Sequence, residues 1–232
     1  MIASLTIVRY RKAFIPFALL SMAVFRPILR FTKHCTFWKL VGSGRSDTFD
    51  LKPDWQQWGL LAVWHDENAF KNFQQSFINK WWNRFGTEQW TILLEPLQSH
   101  GTWDGKEPFG KPNTAIADGP VAVLTRATIR TNRLKNFWNH VDDVTALMNR
   151  SKGYVMSIGV GEAPVFRQAT FSVWESLDDV KAFAYGSKEH AEVIRKTREE
   201  NWYSEELFAR FKIIDSFGTL KGADPLAKLK TT

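Results

Sequence analysis

The chain has 232 residues, a net charge of +7 and a pI near 9.5, with 44% hydrophobic and 24% charged residues. That length suits one large domain or two fused small ones, and the single cysteine, Cys35, excludes both an intramolecular disulfide and a multi-cysteine zinc or iron–sulfur site. Basic residues are scattered rather than gathered into runs, which fits a solvated basic surface and argues against nucleic-acid binding, while 11 Trp and 18 Phe point to large apolar cores or a pocket for an apolar ligand.

In chain order, Leu5–Tyr10 reads as a strand and Phe14–Leu29 as a buried helix. The clean apolar run of that helix, Ala13–Phe25, falls short of the ~20 residues that cross a bilayer, and Phe-Arg-Pro-Ile follows it where a secretory signal needs small residues. Strands Thr36–Leu40 and Trp58–Trp64, helix Glu67–Phe85 and strand Trp90–Leu97 come next. Gly110–Gly119 carries the Gly, Pro and Asn of a linker. Val121–Arg130 is a strand rich in β-branched residues. Arg133–Arg150 places Leu134, Phe137, Trp138, Val141, Val144, Leu147 and Met148 on one helix face. Strands Tyr154–Val160 and Arg167–Trp174 follow. Ser176, with Asp179 three residues on, begins a helix or pair of helices running through His190 to about Glu199, and Phe208–Ser216 is the closing strand.

The chain repeats itself. Phe37–Phe49 recurs in pattern as Tyr154–Phe166, Leu60–Trp64 as Thr170–Trp174, and Gly101–Phe109 as Gly218–Leu226, at offsets of 117, 110 and 117. Units this long are fused copies of one domain, since solenoid repeats run to roughly 20–50 residues. The expected fold class is α+β: two ferredoxin-like βαββαβ modules, residues 1–110 and 120–232, related by a pseudo-twofold and packed as a fused dimeric α+β barrel. The second half carries extra residues between Phe183 and Gly218, around His190, so a cavity is expected nearer that helix than its counterpart Glu67–Phe85. Trp64 and Trp174 are expected to be equivalents at strand ends.

No pair of the five histidines stands at metal-ligand spacing in a helix, and no nucleophile elbow, P-loop or dinucleotide fingerprint is present. Gly42-Ser-Gly44 and Gly159-Val-Gly161 read as turns. His34 and His100 carry no supporting context, His65 reads as a capping residue, His140 as solvated, and Asp104-Gly-Lys-Glu-Pro as a turn. His190 stands apart: on a helix it shares a face with Ile194, Thr197 and Arg198. As a neutral imidazole it can serve as the single protein ligand of a haem iron, with Arg195 and Arg198 pairing the propionates. The competing reading is a surface histidine beside a Glu192–Lys196 charge pair.

Taken together, Phe37-Trp-Lys39, Ala62-Val-Trp64, Trp103–Phe109, Leu124–Thr128, Ile158–Glu162, Thr170–Trp174, His190–Arg195, Glu200-Asn-Trp202 and Glu205–Phe211 resemble the spheroidene monooxygenase family, the acyclic carotenoid 2-ketolases. The similarity runs from Phe37 to Leu226. The resemblance implies a haem b (iron) monooxygenase acting on terminal carbons of an acyclic carotenoid with electrons from reduced ferredoxin. It supports His190 as the metal ligand. Arg126, at the end of its strand, is taken as a catalytic distal group that stabilises negative charge on oxygen. The basic surface suits an acidic ferredoxin or peripheral contact with an anionic membrane, and the expected place is the cytoplasm or the inner membrane face. Two other readings stay open: a cofactor-free enzyme with His190 as general base, and a non-enzymatic binder of an apolar ligand.

Overall fold

The computed structural model describes residues 1–44, 53–112, 118–163, 165–186, 195–197 and 199–230. The first half runs β1 (Ile2–Tyr10), α1 (Ile15–Arg30), β2 (Cys35–Gly44), β3 (Pro53–Trp64), α2 (Glu67–Gln74), α3 (Phe77–Phe85) and β4 (Gly86–Gly101). The second runs β5 (Val121–Ile129), α4 (Leu134–Arg150), β6 (Tyr154–Ala163), β7 (Arg167–Trp174), α5 (Leu177–Gly186) and β8 (Tyr203–Gly218).

The strands close into one antiparallel barrel of order β1-β3-β2-β6-β7-β5-β8-β4, a mixed α+β architecture with its helices outside. Pairing runs β2-β3-β1-β4 in the first half and β6-β7-β5-β8 in the second. The seams are β2 on β6, where Gly42 meets Gly161, and the long β4–β8 ladder. Closure leaves no free sheet edge.

Alternation of side chains along each strand sorts the core into layers. Inward residues of all eight strands, among them Leu5, Val63, Trp90, Leu124, Phe171 and Phe211, fill the barrel. Outward residues of β1–β4 form one continuous core with α1, α2 and α3 that includes Trp64, Phe25, Phe73 and Trp82. On the second sheet the described outward residues fall into two separate clusters. One joins Trp174, Val121, Met148 and Val180, the other Ile129, Phe137, Val141 and Trp202.

The turns after β4 and β8 fold back over the two barrel ends. Gly101 and Gly218 both take positive φ, 84° and 88°, which a side chain would strain. Trp103 and Phe109 from one turn, and Leu226 from the other, enter the barrel core. Each turn is held by a glutamate: Glu205 accepts the Gly105 amide at 2.8 Å, and Glu88 accepts those of Lys221 and Gly222 at 2.8 and 2.6 Å.

Two expectations change. The segment Glu67–Phe85 is two helices, because Ser76 interrupts the first and caps the second by accepting the Asn79 amide. Gly42-Ser-Gly44 and Gly159-Val-Gly161, expected as turns, lie within the ladders of β2 and β6. Of the helix or pair of helices expected from Ser176 through His190 to about Glu199, Leu177–Gly186 and the helical segment Arg195–Thr197 are described; His190 lies outside the described residues. Trp64 and Trp174 do end β3 and β7, opposite Ile2 and Val121, the first residues of β1 and β5.

Candidate functional site

Strand register makes the two sheets comparable position by position. Thr6 on β1 lies between Leu60 and Thr91, and Leu60 in turn meets Leu40. Thr125 on β5 lies between Thr170 and Phe208, and Thr170 meets Gly159. This outward-facing row is filled on the first sheet: Leu40, Leu60, Thr6 and Thr91 are all buried, the two threonines bonded to each other at 3.0 Å. On the second sheet the leucines are replaced by Gly159 and Thr170, Thr125 is exposed, and the Thr170 Oγ1 is buried without a hydrogen-bond partner.

Neighbouring rows lose bulk in the same way. Trp38, opposite Ala62, corresponds to Ser157, opposite Ser172; Trp58, opposite Val8, corresponds to Gln168, opposite Ala127. The overlying helix follows suit. Phe25 of α1 is 1% exposed and wedged against Trp81 and Trp82; on α4 the residue at the same depth, Val144, is half-buried. The described face of the second sheet beneath α4 thus carries smaller side chains than its counterpart on the first sheet. It lies between the two separate clusters of the second half. A cleft of about 640 Å³ adjoins it, lined by His100, Arg210, Val121, Leu177 and the linker residues Gly110 and Lys111. His100 stacks on Phe208 at 5.1 Å at the boundary of row and cleft.

The sequence-derived site residues fall in three places. His190 and Arg198 lie outside the described residues. Arg195 is on the helical remnant, ion-paired with Glu199 at 2.6 Å and well exposed. Tyr203, in the following strand, is half-buried against Phe137; desolvation pushes its hydroxyl up to about 12, with a Thr197 hydrogen bond opposing that shift and Glu206 adding to it.

Arg126 sits elsewhere. It is on the inward parity of β5, so its side chain enters the barrel on the face opposite α4 and α5, and it is 1% exposed. The equivalent register position on β1 is Ile7, between Gly59 and Trp90 as Arg126 is between Ala169 and Leu207. The guanidinium bonds Glu205, lies within 4 Å of Glu162 and Asp104, and covers the Trp103 ring at 5.3 Å. Lys39 bridges Asp104 and Glu162, Arg167 approaches Asp104 at 3.5 Å, and Trp103 Nε1 donates to Glu162 at 2.6 Å. Three cations and three carboxylates thus balance inside one barrel end. Burial opposes ionisation of Glu205, but hydrogen bonds from the Gly105 amide, the Thr102 hydroxyl and Arg126 outweigh it and hold its carboxyl at about 2. This cluster fastens the Trp103 turn, while the buried Nε and Nη2 of Arg126 have no hydrogen-bond partner.

The sequence reading missed Asp104, Glu162 and Glu205 as partners of Arg126, since they come from the turn after β4 and from β6 and β8. It also placed His140 in solvent, whereas its ring lies 5.4 Å from Trp202 with Nδ1 2.8 Å from the Asn136 carbonyl oxygen. At the β3–α2 junction the cap is Asp66, which accepts the Ala69 amide; His65 stands beside it.

The protein named spheroidene monooxygenase from Rhodobacter capsulatus is 34% identical over 230 residues, spanning 97% of this chain and 95% of that one. The chain belongs to the spheroidene monooxygenase family. The protein of that name from Cereibacter sphaeroides is 41% identical over 197 residues, 84% of this chain; the match spans 61% of that relative's length. These family members are monooxygenases by name, which places the chain among the oxidoreductases. A family model described as a domain of unknown function, DUF3291, matches residues 116–210. Among solved structures, an aldoxime dehydratase in complex with butyraldoxime is 11% identical, covers 92% of this chain and 79% of that one, and has a TM-score of 0.62. That likeness concerns the barrel fold alone.

Proposed function

We propose that this chain is a haem-dependent monooxygenase that oxidises the terminal carbons of an acyclic carotenoid, built as two ferredoxin-like modules, 1–110 and 120–232, in tandem. The observation that carries the reading is the loss of side-chain bulk on the second sheet, which we read as a recess. Gly159 and Thr170 stand where the first sheet has Leu40 and Leu60, and Thr170 Oγ1 is left buried and unbonded. A haem fits such a face, because its ring needs a broad surface cleared of side chains and an edge group needs a hydrogen-bond donor. In this reading His190 is the iron ligand, and Arg195 and Arg198 pair the propionates.

When bound, the haem supplies the activation of dioxygen, which no side chain performs unaided. The chain's own residues do the rest. Ala127, Gly159 and Thr170 make room, and Phe137 and Trp174, in the flanking clusters, close the recess against water. The cleft beside Phe208 admits one end of a long polyene, whose burial contributes roughly 25 cal/mol per Å². Arg126 acts at a distance: it locks β5 from the barrel side, so that Thr125 and Ala127 on the other side of the same strand are held rigid. It is a positioning residue in this proposal, not the distal group that its strand-end location suggests. The net charge of +7 favours encounter with an acidic reduced ferredoxin as electron donor.

The test is reconstitution. The purified chain titrated with haemin is expected to develop a Soret band, and His190→Ala to lose it while keeping the melting temperature. With reduced ferredoxin, dioxygen and an acyclic carotenoid, the wild type is expected to yield an oxidised polyene. A wild-type chain that never takes up haem refutes the proposal.

A further inference from the structure

Helix α1 has two apolar faces, and only one of them is used by the fold. Ala18, Ser21, Phe25 and Leu29 pack on the first sheet. On the other side, Phe17, Leu19, Leu20 and Phe31 are exposed at 38%, 46%, 51% and 80%. The apolar surface continues onto α3, where Phe77 is 51% exposed. Phe17 stacks on Phe85 at 4.8 Å and lies 6.2 Å from Trp81, and Phe77 lies 5.7 Å from Trp81. The result is a ridge of aromatic and leucine side chains on two adjacent helices. Contiguous exposed apolar surface of this kind marks an interaction site.

The charges carried by α1 and α3 have one sign. Neither α1 nor α3 contains an acidic residue, and the first Asp or Glu of the chain is Asp47. Arg11 and Lys12 stand exposed at the start of α1, Arg26 and Arg30 near its end, and Lys80 and Arg84 on α3. An apolar ridge framed by cations, with no anion among them, complements a surface that is itself anionic outside and apolar within. We propose that the α1–α3 face docks the protein on an anionic lipid bilayer, with Phe17, Leu20 and Phe77 entering the acyl boundary and the flanking cations meeting phosphate headgroups.

The helix lies on the membrane rather than across it. Lys12–Arg30 is apolar enough by composition to span a bilayer. However, the 16 residues of α1 reach about 24 Å against a hydrocarbon core of ~30 Å. Withdrawing α1 from the sheet would also expose Phe25 and Leu29 along with the strand residues beneath them. The proposal names the surface at which a membrane-dissolved substrate is met. It is read without haem or turnover, so it and the oxygenase reading can fail separately; α1 covers the first sheet, whereas the recess lies on the second.

The experiment is cosedimentation of the full chain with phosphatidylcholine vesicles, with and without phosphatidylglycerol, at low and high salt. Binding is expected to the anionic vesicles and to weaken with salt. Phe17→Ser with Leu20→Ser is expected to abolish it, and Arg26→Glu with Arg30→Glu to weaken it by roughly tenfold or more. Tyr185→Ser, a change to an exposed aromatic on α5, is expected to leave it unchanged, and circular dichroism melts are expected to be the same for all variants. Three results overturn the proposal: no binding by the wild type, equal binding by the α1 variants, or a dimer by light scattering that Phe17→Ser with Leu20→Ser dissociates, which assigns the face to a second copy of the chain.

Discussion

Glu205 on β8 and Arg126 on the adjacent β5 are joined side chain to side chain inside the barrel, and the same carboxylate takes the amide of Gly105 and the hydroxyl of Thr102. One ion pair therefore ties two strands to the turn that closes the barrel end. On β1 the position of Arg126 is filled by Ile7, which needs no partner.

Removing one member of this pair is expected to cost more than removing both. Arg126→Ala leaves Glu205 without its cation in a largely buried site, at a cost of about 3–5 kcal/mol. Arg126→Ile with Glu205→Gln restores the apolar residue of the first half and removes the unpaired charge, so it is expected to recover a good part of that loss. Urea denaturation of the two variants beside the wild type measures the difference. Equal destabilisation would show that the pair is not coupled.

Glu205 also sets an acid limit. Its carboxyl is held at about 2 in the folded protein, below the ~4.3 of an unfolded chain. A depressed folded value stabilises the protein above the unfolded pKa, and that stabilisation is lost as the pH falls toward the folded one. Stability is therefore expected to decline from about pH 5 to pH 2, and Glu205→Gln to flatten that part of the curve. Thermal melts across this range decide it; an equally steep curve in the variant would place the loss elsewhere.

Filling the recess is expected to separate ligand uptake from folding. Thr170→Leu restores the residue that the first sheet carries at the same register, Leu60. The side chain suits a strand face beneath helices, so the melting temperature should hold or rise. Haemin titration of this variant is expected to give little or no Soret band. Uptake at wild-type strength would move the binding surface away from the second sheet.

The turns at the two barrel ends are expected to respond alike. A Cβ at Gly101 would collide with the Glu206 carbonyl oxygen and one at Gly218 with that of Gln89, both at positive φ. Gly101→Ala and Gly218→Ala should each cost at least about 2 kcal/mol. Denaturation of both variants tests the correspondence, and a neutral substitution at either end would break it.

Much of the fold was readable in the sequence, because the alternation of Leu5, Ile7, Leu124 and Phe171 with their outward neighbours is a local property of each strand. The turn at Asp104-Gly-Lys-Glu-Pro was visible for a similar reason, since Gly and Pro mark turns wherever they occur. The aligned run Phe37–Phe49 with Tyr154–Phe166 misses the register by two: Phe37 lies opposite Val63 as Met156, not Tyr154, lies opposite Val173. The break at Ser76 was not legible, since a polar residue in a helical pattern is ambiguous until its hydroxyl is seen on the Asn79 amide.

Which way Arg126 points, and what it meets, was decided only in three dimensions. Strand alternation offers two faces, and closure of β8 on β4 and of β6 on β2 made its face the interior, beside Glu205, Glu162 and Asp104. The recess is likewise tertiary: Gly159 and Thr170 are unremarkable on their own strands, and their small size becomes meaningful only against Leu40 and Leu60 in the matching register. A sequence determines the pattern along each strand because that pattern is set by neighbours in the chain. Which charges pair and which face is hollow depend on contacts between residues tens of positions apart, and those exist only once the barrel has closed.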